Sequence, residues 1–194
     1  RLKFLETLNL DVIKVSSFDC CSFKLIEDLS KSNFKRIIVS TGATFDREVE
    51  KTCQILKKNN QKFTFLHCIS IYPTPLHETH LNRIKYLRNL NDCVGISDHS
   101  NYDKDGPKLS VSAVYFGATT VEKHFTILDK KETKDGVVSV NHSELKELVK
   151  LCKLPKKEMA TYIEKEVPEY KKIMFGKSNR ELSEAELLNR DYYQ

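Results

Sequence analysis

Only six glycines and five prolines occur among 194 residues, and no apolar run approaches the ~18 residues a membrane-spanning helix needs. The first scarcity excludes low-complexity and collagen-like chains and argues against extensive disorder. The second excludes a membrane span. The six cysteines (Cys20, Cys21, Cys53, Cys68, Cys93, Cys152) form no C-x-x-C pair and no zinc-ligand spacing. Several sit inside apolar runs, as reduced core cysteines do, which points to a reducing cytoplasm. Neither G-x-G-x-x-G nor G-x-x-x-x-G-K-[ST] is present, so there is no nucleotide fingerprint. No charge sign dominates: 32 Lys+Arg against 27 Asp+Glu leave a net charge of +5. The basic doublets (Lys35-Arg36, Lys57-Lys58, Lys130-Lys131, Lys156-Lys157, Lys171-Lys172) are scattered, whereas a nucleic-acid binder gathers them into one stripe with aromatics. A nucleic-acid partner is therefore not expected; a small anionic substrate is compatible. The opening Arg1-Leu2-Lys3 has neither Met nor a charged-then-apolar leader, so the chain reads as the interior of a longer protein rather than a secreted precursor.

What is present is a rhythm. Short, largely β-branched apolar runs fall at 12–15, 36–39, 63–66, 93–96 and 119–122, with starts spaced 24, 27, 30 and 26 residues apart. Runs of this length read as buried parallel strands. Between and after them the pattern predicts helices over 23–31, 47–59, 81–89, 108–116 and 143–153, the last with Asn141 and Glu144 as a capping box. Five consecutive βα units fit either a doubly wound sheet or part of an eight-fold βα barrel.

The polar clusters decide between them. Ser16-Ser17, Ser40-Thr41-Gly42, His67-Cys68-Ile69-Ser70, Ser97-Asp98-His99 and Glu122-Lys123-His124 each end or follow one run. Parallel strands point the same way, so all five clusters open onto one face, where barrel active sites lie. A doubly wound sheet collects its ligand at one switch point and needs no chemistry after every strand. The expected fold is thus α/β, the C-terminal five βα units of an incomplete (β/α)8 TIM barrel, over residues 1–154. Residues 155–194 read as a helical tail or linker, with short pieces bounded by Pro155 and Pro168 and including 183–189. Without the first three units, an open edge and exposed apolar surface are expected, and the chain alone is expected to be marginal.

His99 and His124 end neighbouring strands. They could hold a divalent ion while leaving room for water and substrate oxygens, or serve as hydrogen-bonded strand-end residues. Lys14 interrupts an apolar strand, so its ammonium should face an anion or pair with an acid such as Asp19. Ser17, Ser40 and Ser97 could add hydroxyl donors to the same anion. By alternation, Glu122 and His124 share one side of their strand and Lys123 takes the other. Asp135 is a loop candidate or a solvated turn residue. His67 and Tyr72 flank a proline-stiffened turn, and His77, His80 and His142 carry no assigned role.

The runs Lys14-Val15-Ser16-Ser17-Phe18-Asp19, Val39-Ser40-Thr41-Gly42, Leu66-His67-Cys68-Ile69-Ser70-Ile71-Tyr72-Pro73-Thr74-Pro75, Gly95-Ile96-Ser97-Asp98-His99 and Val121-Glu122-Lys123-His124-Phe125-Thr126 occur in this order. Together they resemble the sialic acid synthase family, the phosphoenolpyruvate-dependent synthases of nine-carbon sugar acids. The resemblance implies a metal-dependent transferase that condenses phosphoenolpyruvate with an N-acetylated amino sugar, N-acetylmannosamine or a di-N-acetylated relative, and releases phosphate. It implies His99 and His124 as ligands of a divalent metal, Mn2+ with Mg2+ or Co2+ as alternatives. Lys14, Ser17, Ser40 and Ser97 match residues holding phosphoenolpyruvate. Ser70, Tyr72, Glu122 and Asp135 match positions around the sugar, and Lys14, Glu122 and His124 take the catalytic roles. The family's earlier strands supply an acidic residue and a second phosphate-binding lysine, and its members imply a homodimer at full length. Ile69 stands where the family has threonine, and Thr133-Lys134-Asp135-Gly136 replaces its Gly-Pro-Asp-His turn. No antifreeze-like C-terminal domain is evident. The rival readings are a non-catalytic fragment or degenerate copy, and a different metal-dependent aldolase or hydrolase on the same barrel.

Overall fold

The computed structural model describes residues 2–193. Its elements run α1 (Leu2–Thr7), β1 (Val12–Val15), α2 (Phe23–Ser30), β2 (Arg36–Ser40), α3 (Asp46–Lys58), β3 (Phe63–Cys68), α4 (Asn82–Leu90) and β4 (Val94–Asp98). They continue with α5 (Tyr102–Asp105), α6 (Lys108–Tyr115), β5 (Thr120–Phe125), β6 (Ser139–Val140), α7 (His142–Cys152), α8 (Lys156–Glu166), α9 (Tyr170–Met174) and α10 (Glu184–Tyr193). All neighbouring strands are parallel, in the order β1-β2-β3-β4-β5-β6, and the sheet curls into a half-barrel.

Each of the five apolar runs is a strand, because a strand covered on both faces needs apolar residues at successive positions. β3 and β4 are buried along their whole length. The five-strand expectation is nonetheless corrected to six: Ser139–Val140 pairs His124↔Ser139 and Phe125↔Val140. Two residues are too few for any periodicity to register. Gly95 in β4 has a close-packing reason, since a Cβ there would stand 2.6 Å from Leu66 Cδ2 and 2.8 Å from Thr120 Cβ.

The helices follow local chemistry. α3 carries Asp46 and Glu48 in its first turn and Lys57 and Lys58 in its last, both matching the helix dipole. α7 opens on the expected capping box, Asn141 Oδ1 accepting from Glu144 N at 3.0 Å and Glu144 Oε2 from Asn141 N at 2.8 Å. Met159, Ile163 and Met174 of α8 and α9 share one core with Ile37, Phe65 and Ile96 of the sheet. Apolar side chains stand exposed at Phe4, Leu8, Leu10 and Val12 around the β1 edge, and at Phe125, Ile127 and Leu128 at the end of β5 and just after it.

Candidate active site

β1 runs into the short 3-10 turn Ser17–Asp19. The Lys14 side chain is 41% exposed, not buried, because β1 is an edge strand with a neighbour on one side only. Its Nζ reaches Glu122 Oε1 at 3.1 Å, so the first and fifth strands of the curled sheet meet across its mouth. The acid nearer in sequence, Asp19, accepts instead from Ser16 Oγ at 2.7 Å. Ser40 Oγ donates to Glu122 Oε2 at 3.4 Å, and Ser97 is the register partner of Glu122 on β4. Burial pushes the Glu122 carboxyl up, but the Lys14 charge and the hydrogen bonding to the carboxylate outweigh it and hold it below its ordinary value. Two of the four expected anion donors, Lys14 and Ser40, thus converge on one carboxylate, with Ser97 paired to it across the strands.

The two imidazoles lie beside this cluster. The His99 and His124 rings are 5.2 Å apart between centroids, and the Tyr72 ring lies 4.1 Å from His99 and 6.2 Å from His124. Ser97 Oγ is 3.4 Å from His99 Nε2; on the other side of the ring, Nδ1 has Ile69 O at 3.4 Å and Cys68 Sγ at 3.7 Å. His124 Nδ1 faces Asp135 Oδ2 at 3.7 Å. Burial, reinforced by the neighbouring His124, pushes His99 down to about 4, so the ring is neutral and keeps a lone pair for a cation. Among the described residues no group of three His, Cys, Asp or Glu could hold a metal ion. The two facing imidazoles are chemically suited to a divalent ion, and a pair leaves most of such an ion's shell to other oxygens.

Ser17 and Ser70 meet around Gly42. Gly42 N–H donates to Ser17 Oγ at 3.0 Å, and Thr44 Oγ1 donates to Gly42 O at 2.8 Å. Ser70 Oγ is buried and has no hydrogen-bond partner among the described residues. A hydroxyl kept dry without a partner is costly, so Ser70 Oγ is available to a ligand.

All ten residues singled out in the sequence lie at this mouth, and alternation puts Lys123 on the other face, as expected. There its Nζ meets Asp98 Oδ1 at 2.9 Å with both side chains almost fully buried. Asp98 also accepts from Ser100 N at 2.8 Å, Ser100 Oγ at 2.6 Å and Ser110 Oγ at 2.5 Å. Burial pushes this carboxyl up, yet Lys123 and these donors leave it below its usual range. His67 belongs to the framework: its Nε2–H donates to Thr79 O at 2.6 Å, and burial pushes the ring down to about 3. Residue-by-residue reading missed Gly42, the Asp98–Lys123 pair, and Asn189 and Arg190 of α10. Gly42, Asp98 and Lys123 stand inside the strand-end clusters, which was the signal available; Asn189 and Arg190 left none.

The NeuB family matches residues 1–164. The chain belongs to the NeuB family. It is 33% identical over 165 residues to an N,N'-diacetyllegionaminic acid synthase of Campylobacter jejuni, covering 83% of this chain and 48% of that protein. It is also 33% identical over 150 residues to the N-acetylneuraminate-9-phosphate synthase of Drosophila melanogaster, covering 76% of this chain and 39% of that one. A crystal structure of the N-acetylneuraminic acid synthetase of Leptospira borgpetersenii, in complex with citrate, superposes with a TM-score of 0.72 at 26% identity, over 98% of this chain and 60% of that one. The chain thus spans less than half the length of these two curated NeuB-family relatives. Among the described residues no helix is long and apolar enough to cross a membrane.

Proposed function

We propose that this chain is the C-terminal part of a (β/α)8 synthase that condenses phosphoenolpyruvate with an N-acetylated amino sugar, N-acetylmannosamine or a di-N-acetylated relative. Carbon 3 of phosphoenolpyruvate bonds to the aldehyde carbon of the sugar, water adds at carbon 2, and phosphate leaves by carbon–oxygen cleavage. The observation that carries this reading is the convergence of Lys14 and Ser40 on the Glu122 carboxylate, with Ser97 beside it on β4 and two facing imidazoles next to it.

The chain's own groups divide the work. An incoming phosphate or carboxylate takes over Lys14 and Ser40, the donors that now serve Glu122, in charge-assisted bonds, with Ser97 and Ser17 beside them. Glu122, released, accepts a hydrogen bond from a hydroxyl of the sugar and orients it. Ser70, Tyr72 and Asp135 line the sugar's side, Tyr72 as a half-exposed aromatic wall over His99. His99 and His124 would hold the divalent ion, Mn2+ by preference and otherwise Mg2+ or Co2+. Once bound, it supplies Lewis acidity toward the sugar aldehyde. The upstream strands bring the acidic residue and the second lysine, and the full-length protein pairs as a homodimer. We place it in the cytoplasm, a reading supported by six cysteines of which none is in a disulfide.

Turnover with phosphoenolpyruvate labelled at its bridging oxygen tests the reaction in the full-length protein. Labelled phosphate should form in equal amount to the N-acyl hexosamine consumed; phosphate release without loss of any such sugar overturns the assignment. The same result separates an enzyme from a non-catalytic, degenerate copy. For the metal, His99→Ala and His124→Ala should each weaken Mn2+ binding, followed by electron paramagnetic resonance, by about tenfold or more. Unchanged affinity in both removes the metal assignment.

A further inference from the structure

Two loops that carry the site are tied together from outside the barrel. α10 lies across them: Asn189 Nδ2 donates to Ser70 O at 2.6 Å, and Arg190 Nη1 donates to Ala43 O at 2.8 Å. The same guanidinium grips Glu48 through two bonds of 2.9 and 2.8 Å and lies 4.7 Å from the centre of the Phe45 ring. Glu48 in turn caps α3, Oε2 accepting from Phe45 N at 2.9 Å. Ala43 is fully buried with φ at +47°, a conformation that a residue with a Cβ holds only when its surroundings impose it. It directly follows Gly42, whose N–H fixes Ser17 Oγ.

The segment that leads into α10 is anchored separately. Glu186, at 1% exposure, takes both Arg180 nitrogens at 2.6 Å, and Ser183 caps the helix on it. Further back, Arg83 Nη1 donates to Ser178 O at 3.0 Å and Asn179 Nδ2 to Asp46 Oδ2 at 3.2 Å. From α10 itself, Asn189 and Arg190 reach backbone carbonyls at the site, and Arg190 also holds the Glu48 carboxylate.

From this geometry we infer that Asn189 and Arg190 are positioning residues: they hold the Gly42–Ala43 and Ser70 backbone in register, and through it the Ser17 and Ser70 hydroxyls. The inference rests on the proposed condensation only for which substrates feel the loss. Arg190 acts on the side of the anionic substrate through Gly42 and Ser17, and Asn189 on the side of the sugar through Ser70.

Arg190→Met keeps the aliphatic stem and removes the donors; Asn189→Asp keeps the shape and removes the amide donor. Both variants, with Arg190→Lys for rescue, are measured in the full-length protein. KM for phosphoenolpyruvate should rise about tenfold in Arg190→Met, and KM for the sugar by a similar factor in Asn189→Asp, as loss of an outer-shell contact does. Arg190→Lys should recover part of the loss. Backbone hydrogen exchange should quicken at 42–45 in Arg190→Met and at 69–72 in Asn189→Asp, while 94–98 stays protected. Exchange unchanged at both loops, or quickened equally across the sheet, overturns the inference. Should the unaltered protein consume no N-acyl hexosamine, the condensation fails, and the exchange pattern still judges the clamp.

Discussion

Replacing Lys123 by methionine is expected to cost about 3–5 kcal/mol of folding stability, read from the midpoint of urea unfolding of the full-length protein. Asp98 and Lys123 have side chains 1% and 2% exposed. Removing the ammonium strands a carboxylate that water cannot reach, with only the Ser100 and Ser110 donors left to it. Ser100 O also loses the Lys123 bond of 2.8 Å. The comparison that isolates the cause is the double variant Asp98→Asn, Lys123→Met. Without a buried charge it should unfold at higher urea than Lys123→Met alone, because an apolar or neutral replacement of both partners costs less than breaking the pair. A loss below about 1 kcal/mol in Lys123→Met would mean the pair contributes no more than an exposed one. The consequence reaches the mouth. Asp98 lies between Ser97 and His99, and Lys123 between Glu122 and His124, so this buried pair fastens together the two strands that present the site.

Much of that arrangement was legible before any coordinate. Runs such as Phe63-Thr64-Phe65-Leu66 could only be strands covered on both faces, and alternation sent Glu122 and His124 to one side and Lys123 to the other. Three things were not legible, each for its own reason. Ser139–Val140 is too short to show a period, and only pairing with His124 and Phe125 makes it a strand. The exposure of Lys14 follows from β1 lying at the open edge, while the apolar run around it reads as a strand covered on both faces. Asn189 and Arg190 act on the carbonyls of Ser70 and Ala43, and backbone acceptors exist at every position, so no residue pattern marks them as partners. The helical character of 183–189 was readable, but not the surface that α10 would cover.

Gly42→Ala should lower kcat/KM by about a hundredfold while reducing stability by only about 1–3 kcal/mol. A Cβ at this position would stand 2.8 Å from Cys68 Sγ and 2.9 Å from Ser17 Oγ, and closer still to Ser70 Oγ. All three neighbours are buried, at 3%, 8% and 1% exposure, so none can swing aside into solvent. The backbone must move instead, and it carries the Gly42 N–H that fixes Ser17 and the strained Ala43 that Arg190 holds. A shift of a few tenths of an ångström to an ångström would relieve the crowding, and near a reacting centre that is enough to lose productive geometry. Ser70→Gly supplies the control. Added to Gly42→Ala, it removes the most crowded contact and should restore the unfolding midpoint. It should not restore turnover, because the hydroxyl it deletes is the one left without a partner for a ligand to meet. Activity of Gly42→Ala within a few-fold of the unaltered protein would place the reacting atoms elsewhere than between Ser17 and Ser70.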